Sequence, residues 1–239
     1  MIIRPLRKVL LSKSRATIHA AGALLFFALS FLSGASAQDA ARSAPNQSEN
    51  NAEPALRRGT NEFGGWAGFS PFSFRLKGTS EDRKLFLLNL QYARTLFSTT
   101  PVTVKYTAEI VPVALEIQPT QFYVVGGETL VNPSGTIYGA GASPVGFQGN
   151  VGRKSVQPFA NGSIGFLYFS QQVPIIGSSQ FNYTVSIGFG AQFFRRSGRS
   201  FTVGWKYFHL SNNYQAALNP GIDSGVFYTG FSILRGGHR

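Results

Sequence analysis

The chain has 239 residues, a formal net charge of +12 and no cysteine, which excludes disulfides and cysteine-based metal centres. Arg4, Arg7, Lys8, Lys13 and Arg15 carry five of the positive charges. Residues 1–37 hold no negative charge, so the remainder is left with about +7. That excess is no argument for a nucleic-acid partner; on an exported protein it suits anionic lipid or solvated turns.

The basic residues precede an apolar run over 20–32, and Ala35-Ser36-Ala37 follows. A positive n-region, a short h-region and an A-x-A site predict a secretory signal peptide over 1–37. The run is shorter than the ~20 residues of a transmembrane helix, which argues against an anchor. Residues 38–60, rich in Ala, Asn, Ser, Glu and Pro, read as a flexible leader.

From residue 61 to 239 the composition turns to Phe, Tyr, Val, Gly and Thr, the residues of strands and turns. Strands are expected at roughly 62–76, 85–97, 102–111, 143–151, 156–170, 181–193, 199–211 and 224–235. The alternation is clearest where Phe181, Tyr183, Val185, Ile187 and Phe189 share one face. Asn182, Thr184, Ser186, Gly188 and Gly190 share the other. Many of these stretches approach the ~10 residues that a tilted strand needs to cross a bilayer.

The apolar faces are large and aromatic, and the polar faces favour Gly, Ser, Thr, Asn and Gln. Small polar residues fit the lumen of a narrow barrel, where Lys105, Glu109 and Lys206 are placed to pair. The outer face of a soluble protein would carry more Lys and Glu, and only 13% of the chain is charged. The links at 98–101, 152–155 and 195–200 are short. The intervening ones are longer, and 116–142 is the longest. That parity is the one of outer-membrane barrels, with short periplasmic turns and long external loops. The expectation is all-β: an eight-stranded antiparallel transmembrane β-barrel of the bacterial outer membrane.

Several smaller features carry less. Gly139-Ala140-Gly141 lacks the helix that a dinucleotide loop needs and reads as a strand entry. Arg195, Arg196 and Arg199 form a solvated cluster at a short turn. Trp66 and Trp205 fit an interfacial aromatic belt or ordinary packing. His19 falls in the expected signal peptide and His238 next to the C-terminal residue, so His209 is the one histidine inside the expected body, which argues against a polyhistidine metal centre. No cofactor is called for.

The strand over 199–211 holds the chemistry. Phe201, Val203, Trp205 and Tyr207 share a face with His209 and Ser211. Polar side chains on a lipid-facing surface are costly unless they are satisfied or functional. Same-face neighbours have Cβ atoms roughly 6.5–7 Å apart, within reach of an imidazole leaning along the strand. A histidine beside a serine can take its proton as the hydroxyl attacks an ester, and a carboxylate behind the ring holds the tautomer. Asp223 opens the last strand, across the hairpin. By itself, an H-x-S triplet is equally two interfacial polar residues.

The longer string HLSNNYQAALNPGIDS (209–224) resembles the lipid A 3-O-deacylase family of outer-membrane enzymes. These carry H-x-S-N, then an Asn and a Gly, then an acidic residue fourteen positions after the His. His209, Ser211, Asn212, Asn219, Gly221 and Asp223 stand at those positions. The resemblance implies Ser211 as nucleophile, His209 as base and Asp223 as orienting acid, in an eight-stranded barrel acting on lipopolysaccharide at its lipid-facing wall. Asn212 and nearby N–H groups are candidates for the oxyanion, with Asn219 and Gly221 in support. The acyl chain would lie along Phe201, Val203, Trp205 and Tyr207.

Two departures stand out. Asp223 replaces the family's Glu and is one methylene shorter. Asn213 and Tyr214 occupy positions where the family commonly has Ala and Gly. A non-catalytic structural or adhesive barrel and a soluble lipocalin-like binder are the alternatives. The oligomeric state, a homodimer included, is left open.

Overall fold

The computed structural model describes residues 56–195 and 197–236, so the segment expected as a signal peptide, most of the expected leader, Arg196 and His238 lie outside the described residues. Eleven strands follow in chain order among them: β1 (Asn61–Ser70), β2 (Ser73–Phe74), β3 (Lys84–Ser98), β4 (Val102–Gln118), β5 (Gln121–Val125), β6 (Glu128–Asn132), β7 (Gly135–Val151), β8 (Val156–Val173), β9 (Ser179–Arg195), β10 (Arg199–Ser211) and β11 (Ile222–Arg235). The eight long ones pair antiparallel in sequence order, and β1 pairs with β11 from Asn61↔Arg235 to Phe69↔Phe227. Closure leaves no unpaired edge, the condition for a sheet to span hydrocarbon.

The two faces decide the setting. Asn89, Lys105, Glu109, Asn150, Gln192 and Lys206 are buried in the lumen. Ile110 and Phe189 on the outer wall are each 61% exposed, with Leu90, Phe147, Ile164 and Phe231 alongside. A soluble lipocalin-like barrel buries its apolar face, so this inversion rules that alternative out.

The lumen is held by ion pairs and rings. Lys206 Nζ lies 3.9 Å from Glu109 Oε1, as the sequence suggests. Lys105 instead meets Glu62 Oε2 at 2.9 Å and also donates to Gln192 Oε1 at 2.9 Å. Trp66 points inward, donating Nε1–H to Glu109 Oε1 (3.2 Å), and its ring lies 4.0 Å from Lys206 Nζ. Trp205 sits outside, against Phe189.

A second buried cluster closes the lumen at the end with the long links. Arg83 gives Nη1 to Glu116 Oε1 and Gln118 Oε1, both at 2.6 Å, and Nη2 to Gln121 Oε1 at 2.8 Å. Arg83 and Glu116 are each 1% exposed. Arg83→Leu strands the Glu116 carboxylate in a dry site, so stability falls by roughly 3–5 kcal/mol. The check is the urea midpoint of heat-modifiable gel migration, where an unchanged midpoint would contradict the pairing.

Several boundaries differ from expectation. β4 runs on to Gln118 and β7 already begins at Gly135, so both ends of the link expected over 116–142 are paired strand and Gly139-Ala140-Gly141 lies inside β7 rather than at a strand entry. The strand expected over 62–76 breaks at Pro71, which has no N–H for the ladder. Phe69 pairs with Phe227 and Ser73 with Ser224, four residues against three, so β2 continues β1 past a bulge. The longest link is a hairpin, β5 and β6, turning on Gly126 and Gly127, both at positive φ. Residues 56–60, expected in the leader, pack on the barrel: Leu56 and Thr60 are buried, and the Gly59 N–H donates to Thr95 O (2.9 Å).

Candidate active site

His209 and Asp223 are direct partners in the β10–β11 ladder. Alternation turns Lys206, Phe208 and Leu210 inward, all buried, and Tyr207, His209 and Ser211 outward. The site therefore sits on the outer wall near the long links. The turns 99–101 and 152–155, residues 197–198 and the paired ends Asn61↔Arg235 mark the opposite rim.

His209 Nδ1 and Asp223 Oδ1 are 2.6 Å apart. The Tyr207 hydroxyl donates to the same oxygen, also at 2.6 Å, and its ring stacks on the imidazole at 6.4 Å between centroids and 16° between planes. The other oxygen, Oδ2, accepts from three successive backbone N–H groups: Leu76 (2.9 Å), Lys77 (2.6 Å) and Gly78 (2.7 Å). The partners on both oxygens suit an ionised carboxylate, which only accepts. Asp223 is fully buried beneath them and His209 is 8% exposed.

Local sequence explains how the link between β1 and β3 gets there. Phe74 pairs with Asp223, and its ring lies 6.0 Å from Tyr207. The chain then runs beside residues 220–222: Thr79 N–H donates to Pro220 O (2.6 Å) and Ser80 N–H to Gly221 O (3.3 Å). Gly221 has φ +65°, and a Cβ there would lie 3.3 Å from Gly78 Cα and 3.4 Å from His209 Cε1. Both the backbone and the close approach of the ring call for glycine.

Ser211 ends β10, half-buried, and its Oγ accepts from the Asn213 N–H at 3.4 Å. No hydrogen bond joins it to the imidazole. Such bonds are often long or absent before substrate binds.

Asn212 and Asn219 knit the link from β10 to β11. Asn219 Oδ1 accepts the Asn212 backbone N–H (3.1 Å), and Asn212 Nδ2 donates to Leu218 O (2.8 Å). Asn212 Oδ1 in turn accepts the Tyr214 N–H (2.9 Å). The backbone N–H of Asn212, a candidate oxyanion donor in the sequence, is thus committed to the loop. Asn213 and Tyr214 take left-handed φ of 52° and 61°, which is uncommon for non-glycine residues.

Phe201, Val203, Trp205 and Tyr207 all face outward, but at different depths. At ~3.3 Å per residue and a tilt of about 40°, Phe201 lies ~20 Å below His209, past the ~15 Å half-thickness of the hydrocarbon. Tyr207 and Trp205 flank the site; Val203 lies near the midplane.

Residues 104–232, more than half of the chain, match the family model described as lipid A 3-O-deacylase (PagL). The chain belongs to the lipid A 3-O-deacylase family. Its barrel is similar to the crystal structure of the outer membrane enzyme PagL, at 19% identity over 71% of this chain and 97% of that one, with a TM-score of 0.48. It is also similar to Neisserial surface protein A (11% identity, 74% and 98% coverage, TM-score 0.46). A third similarity is to the outer membrane protein OprG from Pseudomonas aeruginosa (14%, 75% and 97%, TM-score 0.45). No curated protein sequence matches.

Membership of the family and a barrel with its apolar face outward place the chain in the bacterial outer membrane. The family match spans His209, Ser211, Asn212, Asn219, Gly221 and Asp223 but stops short of residues 76–78. A homodimer finds no support in the family match or in the barrel. Sequence reasoning missed the three amides and the Tyr207 hydroxyl. The amides leave no trace in residue type, and a tyrosine among outward aromatic residues reads as an apolar contact.

Proposed function

We propose that this chain removes the 3-O-linked acyl chain of lipid A by a serine-esterase mechanism, with Ser211 as nucleophile, His209 as base and Asp223 as orienting acid. The observation that carries the reading is the 2.6 Å contact of His209 Nδ1 with a fully buried carboxylate on the lipid-facing wall. With the Nδ1 proton held by Asp223, the free lone pair of the ring is on Nε2. That nitrogen takes the Ser211 proton as Oγ bonds to the ester carbonyl carbon.

The tetrahedral intermediate collapses and the C–O bond to the sugar breaks. The sugar oxygen takes the proton back from Nε2, and an acyl-serine remains. Water, deprotonated by the same nitrogen, then releases the hydroxy fatty acid and restores Ser211. The Asn213 N–H, which makes only a long 3.4 Å bond to Ser211 Oγ, is the donor beside the nucleophile that can turn to the oxyanion. Lipid A enters sideways from the outer leaflet, with its acyl chain along Tyr207 and Trp205 and ending near Val203. The chemistry needs neither metal nor cofactor.

An alkyl fluorophosphonate, which traps activated serines, tests the reading. The detergent-solubilised barrel is expected to gain one adduct, mapped by peptide mass spectrometry to Ser211 and absent from His209→Ala. Labelling elsewhere, or none, would remove Ser211 from the role.

A further inference from the structure

Five donors converge on the Asp223 carboxylate, and only His209 among them belongs to the motif shared with the family. Three consecutive amides aimed at one oxygen form a concave anion site of the kind that successive N–H groups build. Here the anion is a side chain of the same protein, about 145 residues away along the chain. The segment is pinned where it lies. A Cβ on Gly78 would meet Gly221 C at 2.8 Å and Ile222 N at 2.9 Å, so no side chain fits there.

The length of the acid gives this arrangement its point. An aspartate has a single methylene between its backbone and its carboxylate, so its reach from β11 is fixed. With Oδ2 seated on the amides of 76–78, Oδ1 is left facing both the imidazole and the Tyr207 phenol. We propose that residues 76–78 and the Tyr207 hydroxyl are the positioning device of this active site, fixing the short Asp223 carboxylate so that its Oδ1 meets the His209 imidazole. The proposal rests on the triad reading above. It adds that the link following β1, outside the family-matched segment, is part of the machinery. The amides and the Tyr207 hydroxyl act through Asp223 and touch neither ester nor nucleophile; only the ring of Tyr207 borders the acyl chain.

The test compares Gly78→Ala, Tyr207→Phe and Asp223→Glu in the whole mature chain, with lipopolysaccharide in detergent as substrate and gel migration as the check of folding. Gly78→Ala displaces the amides and lowers kcat about 10²-fold with KM little changed. Tyr207→Phe removes one charge-assisted hydrogen bond and lowers kcat about tenfold. Asp223→Glu keeps the charge yet loses about tenfold or more, because the extra methylene pushes the carboxylate out of register with the amides and the ring.

A proton NMR spectrum supplies a readout that a merely structural loop would not move. The Nδ1 proton shared with Asp223 resonates far downfield in the wild type and is lost or broadened in Gly78→Ala and Asp223→Glu. A glutamate variant as active as the wild type overturns the positioning role and leaves the triad standing. So does wild-type kcat in both Gly78→Ala and Tyr207→Phe. Full activity in Asp223→Asn sinks the triad instead, and this proposal with it.

Discussion

Ser211→Ala lowers the release of hydroxy fatty acid from lipopolysaccharide on the order of 10⁶-fold, the loss seen when a serine hydrolase is deprived of its nucleophile. The barrel still folds. The hydroxyl makes one long hydrogen bond, from the Asn213 N–H at 3.4 Å, and lies half-buried at the end of β10. Its removal leaves no void in the lumen and no stranded charge, so heat-modifiable migration stays as in the wild type. Chromatography of the fatty acid released by purified protein measures the effect, and undiminished release by the alanine variant would end the serine mechanism.

Asp223→Asn lowers kcat about 10⁴-fold, the scale of loss when the ring of a triad is held in the wrong tautomer. The sign follows from the donors already in place. Three N–H groups point at the Oδ2 position and accept nothing, so the new amide turns its carbonyl oxygen towards them. Its NH₂ then faces His209 Nδ1 and donates to it. The ring proton moves to Nε2, the nitrogen that has to accept from Ser211. The side chains are nearly the same size, so folding is expected to hold and KM to change little. An asparagine variant with wild-type kcat would show that the carboxylate does not steer the ring.

Sequence and structure agree where side chains carry the pattern. Period-two alternation located the eight barrel strands, and the inversion of their faces is borne out by Ile110 and Phe189 outside and Lys105 and Lys206 within. The pairing of His209 with Asp223 was legible because both flank one hairpin, whose register makes them direct neighbours.

What escaped was carried by backbone or by distant contacts. The amides of Leu76, Lys77 and Gly78 have no signature in residue type, since every non-proline residue has an N–H. Glu62 reaches Lys105 across the lumen from β1, a pairing that depends on the shear of the barrel rather than on spacing. The β5–β6 hairpin was within reach, because Gly126-Gly127 between two short strands is a tight-turn signal. The break of the first strand at Pro71 was legible too, for the same backbone reason that places it there.

The most direct measurement is the mass spectrum of lipid A before and after exposure to the purified wild-type barrel. Loss of one hydroxyacyl chain, located at the 3 position by fragmentation, is the expected result. Lipid A of unchanged mass from a folded barrel, or the loss of a chain from another position, would contradict it.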